Sequence, residues 1–203
     1  MLVDFEKLAG PKAYHWMTAI IAPRPIAWVS SMGPEGQVNL APFSFFTGIT
    51  SRPPTLMFVP INQHDGTPKD TMRNIEATGE FVVNVVTDDL AETMNATAAM
   101  LPYGESEFEA GGIEAAKCEQ VKAPRVAAAR IALECKLDRI VKIGDEPGVA
   151  NCVFGRILWA HVSDEILNTE GRIDPTKLDL TGRMGGDDYV RAREKFSIGR
   201  PPR

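Results

Sequence analysis

The sequence predicts a mainly β fold, with six antiparallel strands closed into a small barrel and a few helices at its periphery. Three observations lead there. In residues 129–140, Ile131, Leu133, Cys135 and Leu137 alternate with Ala132, Glu134, Lys136 and Asp138, the mark of an antiparallel sheet with one wet face. Residues 26–31 alternate in the same way and lead through the turn Gly33 to Gly36 into a second strand-like run, which together read as a hairpin. Helical patterns are few and do not alternate with the strands, which disfavours a doubly wound parallel sheet and favours a barrel, where edges vanish by wrapping.

Strands are expected at 26–31, 38–47, 55–60, 81–86, 129–140 and 151–161. Within the second, Pro42 has no N–H for a sheet ladder. It belongs at an edge, at a bulge, or where something other than a strand approaches the backbone. Helices are expected at 71–78, ended by Gly79, at 90–100 after an Asp88-Asp89 cap, and near 187–195. Residues 102–112 form a polar, glycine-containing loop long enough to cover something. With no repeat, low-complexity tract or linker, the 203 residues read as a single domain, with a core at about 14–165 and a C-terminal extension at 166–203.

Composition narrows the partners. The formal charge is −5 and the pI about 5.3, and no Lys/Arg run accumulates outside the short Arg-containing tail, so neither nucleic acid nor anionic membrane is expected. The acidic start MLVDFEK and the lack of a long apolar run point to a cytoplasmic protein. Cys118, Cys135 and Cys152 are an odd number without a C-x-x-C pair and read as small buried hydrophobes. His15, His64 and His161 have no spacing that builds a metal site, so no metal is expected. Hydrolase elbows, dinucleotide fingerprints and P-loops are likewise missing from the sequence.

The chemistry-bearing residues gather in the first half of the chain. Ala27, Ala41 and Ser44 leave room for a flat ring to approach the hairpin, and the hydroxyls of Ser30, Ser31, Ser44, Thr47, Thr50 and Ser51 suit its polar edge or a phosphate. Lys69, Asp70 and Thr71 stand at a helix start, whose free N–H groups and partial positive charge favour an anion. The competing reading is that Asp70 or Thr71 caps the helix while Lys69 is solvated. Trp28, Phe43, Phe45 and Phe46 either stack on a ring or fill the core. Asn39 and Asn84 either bond a ligand or satisfy neighbouring backbone. His64 and Arg183 either order a ligand or are solvated loop charges.

The segments PRPIAWVSS and NLAPFSFF, then KDTMRN (69–74), GEFVVN (79–84), EFEAGG (107–112), LECKL (133–137) and GRMGGDDY (182–189), occur in an order that resembles the flavin reductase-like family of FMN-binding split barrels, which includes flavoredoxins. The resemblance runs from about Tyr14 to Tyr189. It implies a six-stranded antiparallel split β-barrel of Greek-key type, usually dimeric, that binds FMN and reduces it, or a second flavin, with NADH or NADPH. It also implies that Ser51, Lys69 and Thr71 hold the phosphate and ribityl tail, with Arg24 near the flavin. The strand around Ala27, Trp28, Val29, Ser30 and Ser31, and the segment Asn39, Ala41, Pro42, Phe43 and Ser44, would line the ring. Thr50, Asp70, Asn74 and Arg183 complete the candidate set, and no acid–base residue is obligatory. Family members pass reduced flavin to a flavin-dependent monooxygenase or another electron acceptor, or carry electrons on bound flavin. A different class, a structural or sensing barrel with an empty or haem-filled groove, stays open.

Overall fold

The computed structural model describes residues 1–145 and 147–201. Residues 146, 202 and 203 lie outside the described residues, among them the last two of the expected C-terminal extension and its Arg-containing tail. In chain order the strands are β1 (Arg24–Pro25), β2 (Ala27–Met32), β3 (Val38–Phe43), β4 (Phe46–Ser51), β5 (Pro54–Phe58), β6 (Glu80–Val85), β7 (Ala115–Ala116), β8 (Arg125–Val126), β9 (Ile131–Ile143), β10 (Ala150–Val162), β11 (Thr181–Arg183) and β12 (Tyr189–Arg191). The α-helices are α1 (Gly10–Ile20), α2 (Asp70–Thr78), α3 (Ala91–Ala96), α4 (Glu107–Ala110) and α5 (Pro175–Leu178).

The fold is mainly β, with seven strands in the main sheet instead of six, in the order β3-β2-β6-β9-β10-β5-β4. All its pairings are antiparallel. The extra strand arises because the run expected at 38–47 is two strands, broken at Ser44-Phe45. β3 and β4 are the two outer edges of the sheet, yet only three residue steps separate Phe43 from Phe46, at most about 11 Å of chain. The sheet must therefore curl until its edges approach at that end, while among the described residues no ladder joins β3 to β4. The seam stays open.

The interior of the curl is filled by Phe43, Phe58 and Phe81, with ring centroids 5.3 Å apart in each successive pair, and by Met72 and Ile75 of α2. Removing each of these two helix side chains from water contributes about 1.5 to 3 kcal/mol, which fixes α2 against the core. Gly79 ends α2 as expected, at φ 69°, a conformation that glycine adopts without steric cost. Gly155 is required by space: a Cβ there would meet Phe81 Cζ at 2.2 Å.

Two helical expectations change, and a further helix appears. α1 was not foreseen, because a surface helix with only Thr18 buried shows no clear apolar stripe. The helix expected at 90–100 is limited to Ala91–Ala96 behind a short 3₁₀ turn at Asp88–Leu90. Asp89 accepts the Thr87 hydroxyl and an Arg130 N–H instead of capping the helix. The helix expected near 187–195 is strand β12, held by pairing with β11, which in turn pairs with β1 and brings Arg183 opposite Arg24. Among the described residues no helix is long and apolar enough to cross a membrane.

Candidate functional site

Pro42 sets the character of the site. On β3 the Leu40 N–H leaves the sheet to bond the Glu107 carboxylate at 2.8 Å, so that phase of the strand faces the free edge. Pro42 is two residues further, in the same phase, where the ladder needs no N–H. This is the edge position that its missing N–H required.

α2 starts beside that edge. Its N-cap residue, Lys69, makes no side-chain cap, so the helix's first free N–H groups are not satisfied by the usual hydroxyl or carboxylate. Of the two candidate caps in the sequence, neither serves: the Thr71 hydroxyl accepts from Asn39 Nδ2 at 2.8 Å, and Asp70 lies 3.7 Å from Arg73. One turn on, Asn74 Nδ2 donates to Ser31 Oγ at 3.2 Å, while its buried Oδ1 has no hydrogen-bond partner among the described residues. These two buried side-chain pairs fasten the helix start to β3 and β2. Among the described residues the Lys69 ammonium forms no hydrogen bond or ion pair.

A cleft runs along this junction, and Asn39, Ala41, Pro42, Phe43, Lys69, Asp70 and Thr71, all sequence candidates, line it. Residues the sequence did not single out complete it: Gln63, the segment Thr97 to Leu101, and Glu107. Glu107 belongs to the EFEAGG segment, but nothing in a residue pattern announces that a glutamate is buried. Burial pushes its carboxyl above the ordinary range and nearby Asp70 adds to this, against the stabilising Leu40 N–H. Asp70 is also raised by burial, opposed by Arg73 and Lys69. The segment expected as a loop at 102–112 holds the short helix α4, and it does cover something, the outer edge of β3 at Leu40.

The other candidates fall elsewhere. Ala27 and Val29 are fully buried in the core, and Trp28 and Ser30 point to the opposite face of β2. There Trp28 Nε1 donates to Thr97 Oγ1 at 2.9 Å and Ser30 Oγ to the Pro124 carbonyl at 2.5 Å. Phe43 and Phe46 pack in or against the core, whereas Phe45 meets Tyr14 edge-on, with Arg24 5.8 Å from its ring. Asn84 is fully engaged with Trp28, Ser30 and Val126, which decides for the backbone-satisfying reading. Arg24, Ser44 and Arg183 form a second group at the far end of β3. Arg24 donates to the carbonyls of Thr18, Ile21 and Met184 and to Ser44 Oγ, and Arg183 bonds the Gly186 carbonyl and lies 4.5 Å from the Tyr189 ring. From Asn39 to Ser44 the edge is about 17 Å long. Thr50 and Ser51 are exposed on β4 and His64 is exposed in its loop; none of the three lines the cleft.

The curled, open-seamed sheet and its edge cleft define a class. The flavin reductase like domain model matches residues 20–177, and the chain belongs to that family. A protein of Deinococcus radiodurans is 42% identical over 97% of this chain and 88% of its own. Among solved structures, nitrilotriacetate monooxygenase component B from Bacillus cereus superposes with a TM-score of 0.92 at 31% identity, covering 98% of both chains. The 2-nitrobenzoate 2-nitroreductase of Pseudomonas fluorescens gives 0.87 at 31% identity, over 99% of this chain and 96% of that one.

Proposed function

We propose that this protein is an FMN-binding oxidoreductase that takes electrons from NADH or NADPH and reduces FMN, as a single split-barrel domain acting in a homodimer. The observation that carries the reading is the uncapped start of α2, with a Lys69 that forms no hydrogen bond or ion pair among the described residues, pinned by the Asn39–Thr71 bond to the outer strand β3. A helix N-terminus with a lysine at its mouth suits a phosphate, and an edge about 17 Å long gives a phosphorylated flat molecule room to lie along β3. Bound FMN would supply the hydride-accepting chemistry that the side chains here do not offer.

In this arrangement Lys69, the first N–H groups of α2 and the Thr71 region hold the phosphate. Asn39 to Ser44 present backbone and small side chains to the ring, and Arg24 and Arg183 bound the far end. A nicotinamide donor then requires positioning over the exposed side and no general acid. The Bacillus and Pseudomonas neighbours, a monooxygenase component and a nitroreductase, support a redox role with a further electron acceptor. The homodimer is supported by β4, an edge strand exposed from Thr47 to Ser51 that carries Ile49 at 46% exposure, since an uncovered edge invites pairing.

The test is anaerobic mixing of the FMN-loaded protein with each nicotinamide, followed by the loss of the yellow absorption. Bleaching with NADH or NADPH is the expected result. A protein that holds FMN and stays oxidised with both would be an electron carrier, and one that takes up no FMN would overturn the flavin reading itself.

A further inference from the structure

Away from the cleft, the fold brings together three side chains that sequence spacing does not connect. Cys118 lies in the loop between β7 and β8, Glu134 in β9 and His161 near the end of β10, and their ligand atoms all lie within 4.8 Å of one another. His161 and Glu134 are 27 residues apart in the chain. The antiparallel pairing of β9 with β10 sets His161 against Ala132, one diagonal step from Glu134 on the same face.

Glu134 is fully buried, and its four contacts divide into two kinds. The backbone N–H groups of Glu119, Gln120 and Val121 donate to it at 2.8, 2.5 and 3.2 Å and fix the carboxylate in place. The fourth partner, His161 Nε2 at 2.6 Å, is a side chain that can exchange a proton for a metal. In a tetrahedral site with metal–N and metal–O bonds of about 2.1 Å and a metal–S bond of about 2.3 Å, ligand atoms sit about 3.5 Å apart. The His161–Glu134 pair would open by about 1 Å and the sulfur would close by at most a little more.

We propose that Cys118, Glu134 and His161 form a binding site for a borderline-soft divalent cation, best matched by Zn²⁺, with water as the fourth ligand. The mixed sulfur, nitrogen and oxygen set suits zinc and not magnesium or calcium, which require oxygen ligands. A thiolate and a carboxylate neutralise the divalent charge, as a half-buried site demands. Burial first, then the neighbouring Glu134, push the Cys118 thiol up to about 11, so without metal it is an inert thiol. Coordination releases its proton to solvent, while the imidazole keeps one proton on Nδ1. The bound ion would staple the 118–121 loop to β9 and β10.

The experiment titrates the full-length chain, stripped with a chelator, with Zn²⁺ against a competing chromophoric chelator, and records zinc X-ray absorption of the loaded protein. One tight equivalent is expected, with one sulfur at about 2.3 Å and the remaining ligands at about 2.0 to 2.2 Å. Cys118→Ser should weaken binding at least about 100-fold. It should leave the metal-free melting temperature near that of the parent, because Cys118 is none of the four partners of Glu134. His161→Ala should cause a comparable loss. Absence of tight binding, an absorption spectrum without sulfur, or undiminished affinity in Cys118→Ser would each overturn the proposal.

Discussion

Lys69→Ala separates the two readings of the α2 start. The ammonium forms no hydrogen bond or ion pair among the described residues, so its removal should leave the melting temperature within about 1 °C, the expectation for a surface change worth a few tenths of a kcal/mol. If Lys69 meets the FMN phosphate, a charge-assisted hydrogen bond of about 1.5 to 3 kcal/mol is lost, which raises the dissociation constant about 13- to 160-fold. Riboflavin, identical in the ring but without phosphate, is the control. Its affinity should be the same for the parent and the variant. Fluorescence titration of both ligands, at one fixed ionic strength, reads this directly. Equal FMN affinity would return Lys69 to the solvated-face reading, and an equal loss for riboflavin would show that the lysine acts on the fold or the ring instead.

Glu107→Gln should tighten FMN binding, because it removes a negative charge from the cleft while an amide oxygen still accepts the Leu40 N–H; weaker binding would contradict the phosphate placement. The same variant carries a pH signature. Burial raises the folded pKa of Glu107, so its favourable share of stability is present below the unfolded value of about 4.3 and is lost as pH rises through the folded value. A melting series from pH 4 to 8 should show this decline in the parent and less of it in the variant. Glu134 behaves oppositely. Burial opposes its ionisation, but the Glu119 and Gln120 N–H groups and the His161 ring outweigh it, and its carboxyl is held below the ordinary range. Its share of stability is present above about pH 4.3 and is lost as pH falls through the depressed value. Glu134→Gln should cost about 1 to 3 kcal/mol at pH 7 in a denaturant titration and flatten the acid limb. Gly155→Ala, whose Cβ would meet Phe81 at 2.2 Å, should destabilise by about 1 to 3 kcal/mol, and Phe81→Leu in the same chain should recover part of that loss.

Much of the fold was legible because local chemistry and global position agree. Pro42 announced an edge, and β3 is one; Gly79 announced a helix end, and α2 stops there. The alternation from Ile131 to Asp138 gave β9, but its expected wet face is only half wet: Lys136 is exposed and Asp138 with it, whereas Ala132 and Glu134 are fully buried because the segment around Val121 packs over them. The break at Ser44-Phe45 was not legible, since no glycine or proline punctuates it and strand character continues on both sides. What changes there is the edge of the sheet to which the chain belongs, a property of topology. Residues 187–195 carry a charged pattern that reads as helix, and pairing with β11 makes its Tyr189–Arg191 part a strand instead.

Within the site, residue type pointed to Asn39, Lys69 and Thr71, but it could not say that Asn39 and Thr71 bond each other or that Trp28 turns away from them. Glu107 and the Cys118, Glu134 and His161 group were beyond reach for the same reason. Each depends on distant segments that only the curled sheet brings together.

The most direct measurement is a crystal structure of the chain grown with FMN. The expected density places the phosphate within hydrogen-bond distance of the Lys69 ammonium and the first N–H groups of α2, with the tricyclic ring along Asn39 to Ser44. Flavin bound at another surface, or a phosphate remote from Lys69, would contradict that placement.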